Sequence, residues 1–201
     1  MQIRSRSKKT IRNEKSVDAS VLSKTLVKGI IVPDTHAPYH NKSSWALVTK
    51  VVQDWKPQVV VDLGDHFDCY AVSQHRKDPA RRADIQEEVQ EALDALSIFD
   101  GCEQKYFIEG NHEWRLKRYL MDFCPEIYNM FLARTKNDLF GLRESGWHVT
   151  PYMQSLTMGK LQLTHDLDKA GETAIKDAML SFMDNVCIGH THLLRYEVRG
   201  T

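Results

Sequence analysis

The chain has 201 residues, of which 42% are hydrophobic and 27% are charged, and its formal net charge is zero. This composition is ordinary for one soluble globular domain with a sizeable core. No apolar stretch is long enough to cross a bilayer, and the basic N-terminus lacks the apolar segment of a secretory signal, so no membrane partner is expected. The four cysteines show no C-x-x-C spacing, which predicts reduced thiols in a cytoplasmic protein.

The charge is unevenly spread along the chain. Residues 1–28 contain eight Lys and Arg side chains and two acidic ones, a net of about +6. Because residues 1–22 show little periodic pattern, we predict a solvated, partly disordered basic arm before a domain over residues 23–201. A basic arm can also contact nucleic acid, and that alternative stays open. The chain ends soon after its last motif, so we expect the natural protein to continue beyond Thr201.

The first half of the domain predicts alternating strands and helices. The expected elements are a strand over 25–33, a helix over 43–55, a strand over 57–63, a polar loop over 73–82, a helix over 83–99 and a strand over 104–109. Asn41 or Ser43 is expected to cap the first helix. The strand over 57–63 is apolar enough to be buried on both faces. This order favours a parallel sheet with right-handed crossovers.

The second half predicts a different pattern, with strands close together in sequence. The expected elements are a helix over 112–133 that is bent or broken before Pro125, two or three strands over 147–165 with a turn near 158–160, a helix over 171–183, and strands over 185–189 and 193–200. The hairpin-like strands indicate a second or mixed sheet.

Five of the predicted strands end in Asp, Asn or His. These endings are Asp34-Thr35-His36, Gly64 to Asp68, Gly110 to Glu113, Thr164 to Asp166, and Gly189 to His192. Sites in α/β sheets assemble at the carboxyl ends of strands, so we expect these side chains at one edge. Carboxylate and imidazole ligands suit Mn, Fe, Zn or Ni, and a shared carboxylate can hold two ions about 3.5–4 Å apart. We therefore predict two divalent metal ions, with manganese favoured.

The five motifs in this order resemble the calcineurin-like metallophosphoesterase superfamily. Its pattern is D-x-H, G-D-x-x-D, G-N-H-D/E, a lone H and G-H-x-H, and the resemblance spans about residues 26–195. The resemblance implies an α/β sandwich of two mixed β-sheets flanked by helices. It also implies a metal-dependent hydrolase in which a metal-bound hydroxide attacks the phosphorus of a phosphate ester in line.

The resemblance implies a role for each matched residue. The implied metal ligands are Asp34, His36 and His192 for the first ion, Asn111, His165 and His190 for the second, and Asp65 as the bridge between them. His112 would act at the leaving oxygen, either as its general acid or as a stabiliser of developing charge. Asp68 would orient His112.

Two positions depart from the family pattern. The lone histidine is usually followed by glycine, whereas Asp166 follows His165 here, so His148 stays an alternative ligand. The protein Ser/Thr phosphatase branch usually continues G-D-x-x-D with Arg-Gly, and this chain continues with Cys69-Tyr70. That branch is therefore disfavoured.

The residues around and after the second motif suggest where a substrate phosphate would bind. The candidate substrate contacts are His66, Arg76, Lys77, Arg81 and Arg82. The alternative is an ordinary solvated loop.

The substrate is expected to be small, because only one loop and one helix separate the second and third motifs. The stretch VPDTHAPYHNKSSW also resembles the start of small phage and bacterial phosphoesterases, including phage deoxyribonucleoside 5′-monophosphatases. We therefore expect a small phosphomonoester such as a (deoxy)nucleoside 5′-monophosphate. The alternatives are a nuclease or phosphodiesterase acting on DNA, and a non-catalytic regulatory or binding protein that retains the fold. The sequence does not indicate the oligomeric state.

Overall fold

A computed structural model describes residues 27–81, 84–135, 138–167, 171, 173–182, 185–194 and 196. The predicted basic arm over residues 1–22 lies outside these ranges, and so does Arg82. Within the described ranges, every helix is too short or too polar to span a bilayer. All four cysteines are free thiols, as expected.

The described elements follow the predicted order closely. They are β1 (Gly29–Val32), α1 (Lys42–Trp55), β2 (Val59–Asp62), α2 (Ile85–Leu96), β3 (Gln104–Ile108), α3 (Asn111–Phe123), α4 (Pro125–Thr135), β4 (Trp147–Thr150), β5 (Leu156–Met158), β6 (Leu161–Thr164), α5 (Ala174–Phe182) and β7 (Asn185–Ile188). Short 3-10 turns cover Tyr70–Val72 and Ser97–Phe99.

The helix boundaries have local causes. Of the two predicted caps for α1, Asn41 is the one used, because its side-chain oxygen accepts a hydrogen bond from the Ser44 N–H at 2.9 Å. Asp84 caps α2 in the same way, through the N–H groups of Gln86 and Glu87. The predicted break before Pro125 is confirmed, since α3 ends at Phe123 and α4 begins at the proline.

The first sheet has the order β1-β2-β3-β4, with every described pair parallel. The expected α/β class is confirmed, but the expected mixed character belongs to the second sheet alone among the described strands. The reason lies in the connections: each consecutive pair of strands in the first sheet is joined through at least one helix, which lets the chain return in the same direction.

The second sheet has the order β5-β6-β7 and is mixed. β5 and β6 are antiparallel and are joined by a tight turn in which Gly159 has a φ of +61°. β6 and β7 are parallel, with α5 between them in sequence and packed on β7. The strand predicted over residues 193–200 is not seen at Leu193, Leu194 or Tyr196, whose side chains are exposed and lie beside no partner strand. The rest of that segment is outside the described residues.

Two apolar cores cover the two faces of the first sheet. Val60 and Phe107 point to one core, which α1 and α2 close with residues such as Leu96. Val61 and Ile108 point to the other core, which the second sheet closes. All four residues of β2 are buried, so the prediction of a strand covered on both faces is confirmed. This sandwich fixes the carboxyl ends of the strands relative to one another.

Candidate metal centre

The ends of β1, β2, β3, β6 and β7 meet at one edge and bring all seven predicted metal ligands together. His36 Nε2 and His192 Nε2 face each other at 3.0 Å. Asn111 Oδ1 lies 3.0 Å from His165 Nε2 and 2.8 Å from His190 Nδ1. These residues come from positions as far apart in the chain as 36 and 192, so their convergence is a product of the fold.

The predicted ligands fall into two adjoining groups, and a third possible metal-binding group of His36, Asp68 and His112 overlaps the first. Asp34, His36 and His192 offer three ligand atoms within 4.8 Å of one another, and Asp65, His165 and His190 offer three more. The two groups correspond to the two implied ion sites. Asn111 adjoins the second group.

Asp65 lies between the two groups. Its Oδ2 atom is 3.2 Å from His165 Nε2 in one group and 4.0 Å from His36 Nε2 in the other. Its Oδ1 atom accepts a hydrogen bond from the His112 N–H at 2.8 Å. The carboxylate is 1% exposed, so its position is fixed from several sides.

Most of these ligands adopt a left-handed backbone conformation. The positive φ angles are 52° at Asp34, 53° at His36, 53° at Asp65, 67° at His190 and 52° at His192. Such angles are uncommon outside glycine, although Asp and His adopt them more readily than most residues. They cost about 1–3 kcal/mol each and cluster at functional sites, where the surrounding structure enforces them.

Gly110 allows the third strand to approach the centre closely. A Cβ atom on Gly110 would lie 2.5 Å from the Asp65 backbone nitrogen and 2.9 Å from His165 Cε1. Any other residue here would displace the bridging carboxylate or the imidazole. The glycine of the G-N-H-E motif is therefore required, because a larger side chain would not fit.

The histidines are oriented as metal ligands are. His165 Nδ1 lies 2.7 Å from the Leu63 carbonyl oxygen, which can only accept, so Nδ1 donates and Nε2 faces the centre. His36 Nδ1 lies 3.2 Å from Asp68 Oδ2, which leaves its Nε2 facing His192. Metal-binding histidines characteristically use their second nitrogen in this way. The donor set therefore fits two divalent ions.

The electrostatic environment of His165 also fits a metal ligand. Burial disfavours its charged form, but the hydrogen bond and charge of Asp65 outweigh burial and raise the pKa of His165 to about 9. The negative surroundings that hold this proton would also attract a divalent cation, which competes with protons for the same nitrogen.

Glu113 supports the centre through hydrogen bonds, although the sequence analysis gave this residue no role. Its carboxylate is fully buried and accepts hydrogen bonds from the backbone N–H groups of Asp65 at 2.9 Å, Phe67 at 2.8 Å and Gly110 at 2.7 Å. Burial, followed by the charge of Asp65, raises the pKa of Glu113, while the N–H of Phe67 lowers it. Because all three donors favour an ionised acceptor, we expect a carboxylate that ties the second motif to the third.

Glu113→Gln should lower the free energy of unfolding by about 1–3 kcal/mol, because an amide N–H₂ would face backbone donors that have no other partner. Urea unfolding followed by circular dichroism measures this change. Glu91→Gln, at an exposed position, is the control. Equal stability of Glu113→Gln and the native protein would mean that Glu113 is already protonated when folded, contrary to our expectation.

The contact between Asp68 and His112 differs from the expected one. His112 Nδ1 lies 2.8 Å from the main-chain carbonyl oxygen of Asp68 and 3.8 Å from its carboxylate. The carboxylate instead lies 3.2 Å from His36 Nδ1. The side chain of Asp68 therefore orients His36, and its backbone orients His112. The chain turns directly after Asp68, where Cys69 has a left-handed backbone with a φ of 53°.

Arg115 is a second residue that the motifs did not single out. Its Nη2 atom lies 3.0 Å from His112 Nε2, and its Nη1 atom lies 3.0 Å from the Asp68 carbonyl oxygen. A guanidinium only donates, so His112 Nε2 accepts and the proton of the neutral ring sits on Nδ1. Burial, with the charge of Arg115 and against that of Asp65, lowers the pKa of His112 to about 4. The spacing i, i+3 on α3 could have indicated Arg115.

His66, predicted as a substrate contact, is buried and its ring faces away from the centre. It is 0% exposed, and its ring lies 3.0 Å from the Ala92 carbonyl oxygen and 3.1 Å from Asp62 Oδ2. The side chain thus points beneath the strand ends towards α2. His148, the alternative ligand, lies within β4 and stacks on Tyr106, so His165 joins the centre instead.

The described part of the polar loop over 73–82, which carries the basic candidate contacts, is largely exposed, as a substrate-contacting loop would be. Arg76 and Lys77 are exposed, and the Lys77 ammonium donates to the Ala71 carbonyl. The Arg81 guanidinium lies 4.8 Å from the ring centre of Tyr39 and 5.4 Å from that of Tyr70. The role of these residues stays a prediction.

Comparisons with known proteins agree with this geometry. The sequence model of a family described as "Calcineurin-like phosphoesterase" matches residues 30–194. The chain is also similar to the "Gene 54 protein" of Mycobacterium phage L5 and to that of Mycobacterium phage D29, each 26% identical over 177 residues that cover 81% of this chain and 68% of the relative. Since the family match covers most of the chain and the Asp and His groups could hold metal ions, the chain belongs to the calcineurin-like phosphoesterase family and is a metal-dependent phosphoesterase.

Proposed function

We propose that this phosphoesterase hydrolyses a small phosphomonoester, such as a (deoxy)nucleoside 5′-monophosphate, at two divalent metal ions. The observation that carries the dinuclear centre is the pair of ligand groups on either side of Asp65. Support for a small substrate comes from the described segment between Asp65 and Asn111. It contains two 3-10 turns, an exposed loop, α2 and β3, and in its described residues no additional layer that would enclose a bulky partner.

The chain's own residues define what each ion would contact. Asp34, His36 and His192 would hold the first ion and Asn111, His165 and His190 the second, with Asp65 shared. Manganese is the metal we favour because carboxylate and amide oxygens suit it, while the imidazole ligands also suit Fe, Zn and Ni. When bound, the two ions would polarise the phosphoryl oxygens and activate the attacking water.

Arg115 and His112 would act together beside the phosphate. Because His112 Nε2 accepts a hydrogen bond from Arg115, the neutral ring has no proton to give from that atom. The cation in this part of the site is Arg115, which is 12% exposed at its side chain. We therefore favour stabilisation of developing negative charge over general acid catalysis.

DNA cleavage is the second candidate function. It is favoured by the net charge of about +6 in residues 1–28, which suits a phosphate backbone. A non-catalytic protein is disfavoured, because the full set of predicted ligands is present and brought together.

The test compares phosphate release from nucleoside monophosphates with cleavage of single-stranded and linear DNA, with added Mn²⁺. We expect robust release from the monophosphates with little dependence on salt. DNA binding through Z phosphates would instead weaken with a log–log slope of about −0.9Z. An arm variant with Lys8, Lys9 and Arg12 changed to Gln should retain full monophosphatase activity, and Asp65→Asn controls for contaminating phosphatases. DNA cleavage that this arm variant weakens, without monophosphate release, would contradict the proposal.

A further inference from the structure

Asp166 occupies the position at which the chain departs from the family pattern. It directly follows His165 at the end of β6 and is 4% exposed. Its Oδ2 atom lies 4.0 Å from His165 Nε2 and 3.9 Å from His190 Nδ1. Both nitrogen atoms belong to the second ligand group. A buried carboxylate thus faces the second ion site.

The distances place Asp166 beside the second ligand group, from which a rotation of its side chain would bring Oδ2 to ligand spacing. Around an octahedral ion with bonds of about 2.1 Å, adjacent ligands are separated by about 3.0 Å and opposite ligands by about 4.2 Å. Asn111 Oδ1 meets the adjacent spacing, at 3.0 Å from His165 Nε2 and 2.8 Å from His190 Nδ1. Asp166 Oδ2, at 3.9–4.0 Å from the same nitrogen atoms, cannot lie opposite both of them, so it would have to move by about 1 Å to reach the adjacent spacing.

The carboxylate of Asp166 is also oriented by its neighbours. The Tyr152 hydroxyl donates to Asp166 Oδ2 at 3.1 Å. The Tyr152 ring stacks on Trp114 with a centroid distance of 6.0 Å and an interplanar angle of 25°. Thr164 Oγ1 lies 3.1 Å from the Asp166 carbonyl oxygen and 3.2 Å from the Gln154 carbonyl oxygen, and it can donate its one proton to either. Ligating carboxylates are commonly held by such hydrogen bonds.

Charge provides a further reason. The first ion would have a carboxylate of its own, Asp34, in addition to the shared Asp65. Without Asp166, the second ion would have only neutral ligands, Asn111 and two imidazoles, besides that shared carboxylate. Asp166 gives each ion one carboxylate of its own, and added carboxylate oxygen shifts a site towards harder cations.

We propose that Asp166 is a ligand of the second metal ion, oriented by Tyr152, and that it shifts this site's preference towards Mn²⁺ and Mg²⁺ over Zn²⁺. This inference rests on the proposed dinuclear centre.

The test is the number and affinity of ions bound by the purified full chain, measured by elemental analysis and by calorimetric titration with MnCl₂. We expect two ions in the native protein. In Asp166→Ala we expect one tight ion and a second site at least 10-fold weaker for Mn²⁺, with a smaller loss for Zn²⁺. Asp54→Ala, at an exposed position on α1, should bind both ions as the native protein does.

Two further variants and one crystal structure test whether Asp166 binds the second ion. Asp166→Asn preserves the shape of the side chain and should also weaken the second site, and Tyr152→Phe should weaken it less. A crystal structure with Mn²⁺ should place Asp166 Oδ2 within about 2.0–2.4 Å of the second ion. Two equally tight ions in both Asp166 variants would overturn the role of Asp166 alone. A native protein that binds no Mn²⁺ would overturn the dinuclear centre itself.

Discussion

Asp65→Asn should abolish tight binding of both metal ions and lower kcat/KM by about 10³-fold or more. The reason is geometric, since Asp65 Oδ2 lies 3.2 Å from His165 Nε2 and 4.0 Å from His36 Nε2, and so serves both ligand groups. An amide at this position would lose the only charge that the two groups share. Metal ions contribute several kcal/mol to the stabilisation of a phosphoryl transition state. A loss of about 4 kcal/mol corresponds to about 10³-fold in rate.

Elemental analysis of the purified variant and phosphate release with added Mn²⁺ measure these two effects. Asp54→Asn is a matched control, because Asp54 is exposed and pairs only with Lys50 among the contacts described for it. Circular dichroism would show whether the variant is folded. Two ions that remain tightly bound in Asp65→Asn would refute the bridging role.

The sequence predicted the sheet and the edge at which the centre lies, because both depend on local patterns. β2 is a short apolar run flanked by turn residues, and such a run predicts a buried strand wherever it pairs. Each motif directly follows its strand, so parallel pairing alone brings Asp34, Asp65 and Asn111 to one edge. The positions of these residues in the chain therefore determine where they lie in the fold.

The directions of side chains could not be predicted in the same way. His66 lies inside the second motif, yet its ring turns away from the centre because the Ala92 carbonyl on α2 offers it a buried acceptor. The left-handed φ angles at His190 and His192 could not be predicted, because neither position is a glycine. Such features depend on packing between segments that are distant in sequence.

The partners of the motif residues were also beyond local reasoning. Asp68 was expected to orient His112 through its carboxylate, but the turn at this position presents its carbonyl instead. Asp166 was visible as a departure from the family pattern. Its neighbour Tyr152 belongs to a different segment, between β4 and β5, and only the fold brings the two together.

Arg115→Met should lower kcat by about 10²–10³-fold, the usual loss when one preorganised donor to a transition state is removed. KM should change much less, since developing charge is present only in the transition state. Arg115→Lys keeps the charge but loses the fork that reaches both His112 Nε2 and the Asp68 carbonyl, so we expect it to recover activity only in part.

The choice of leaving group separates the two roles open to the Arg115–His112 pair. If the pair stabilises charge, Arg115→Met and His112→Asn should lose similar factors on p-nitrophenyl phosphate and on an alkyl phosphate. A general acid would matter far more for the alkyl phosphate, because its alkoxide leaves poorly without a proton. Arg118→Met is the control, since Arg118 lies one turn further along α3, is exposed and bonds to Gln74. A loss in Arg115→Met confined to the alkyl phosphate would instead assign proton donation to His112, with Arg115 as its positioning residue.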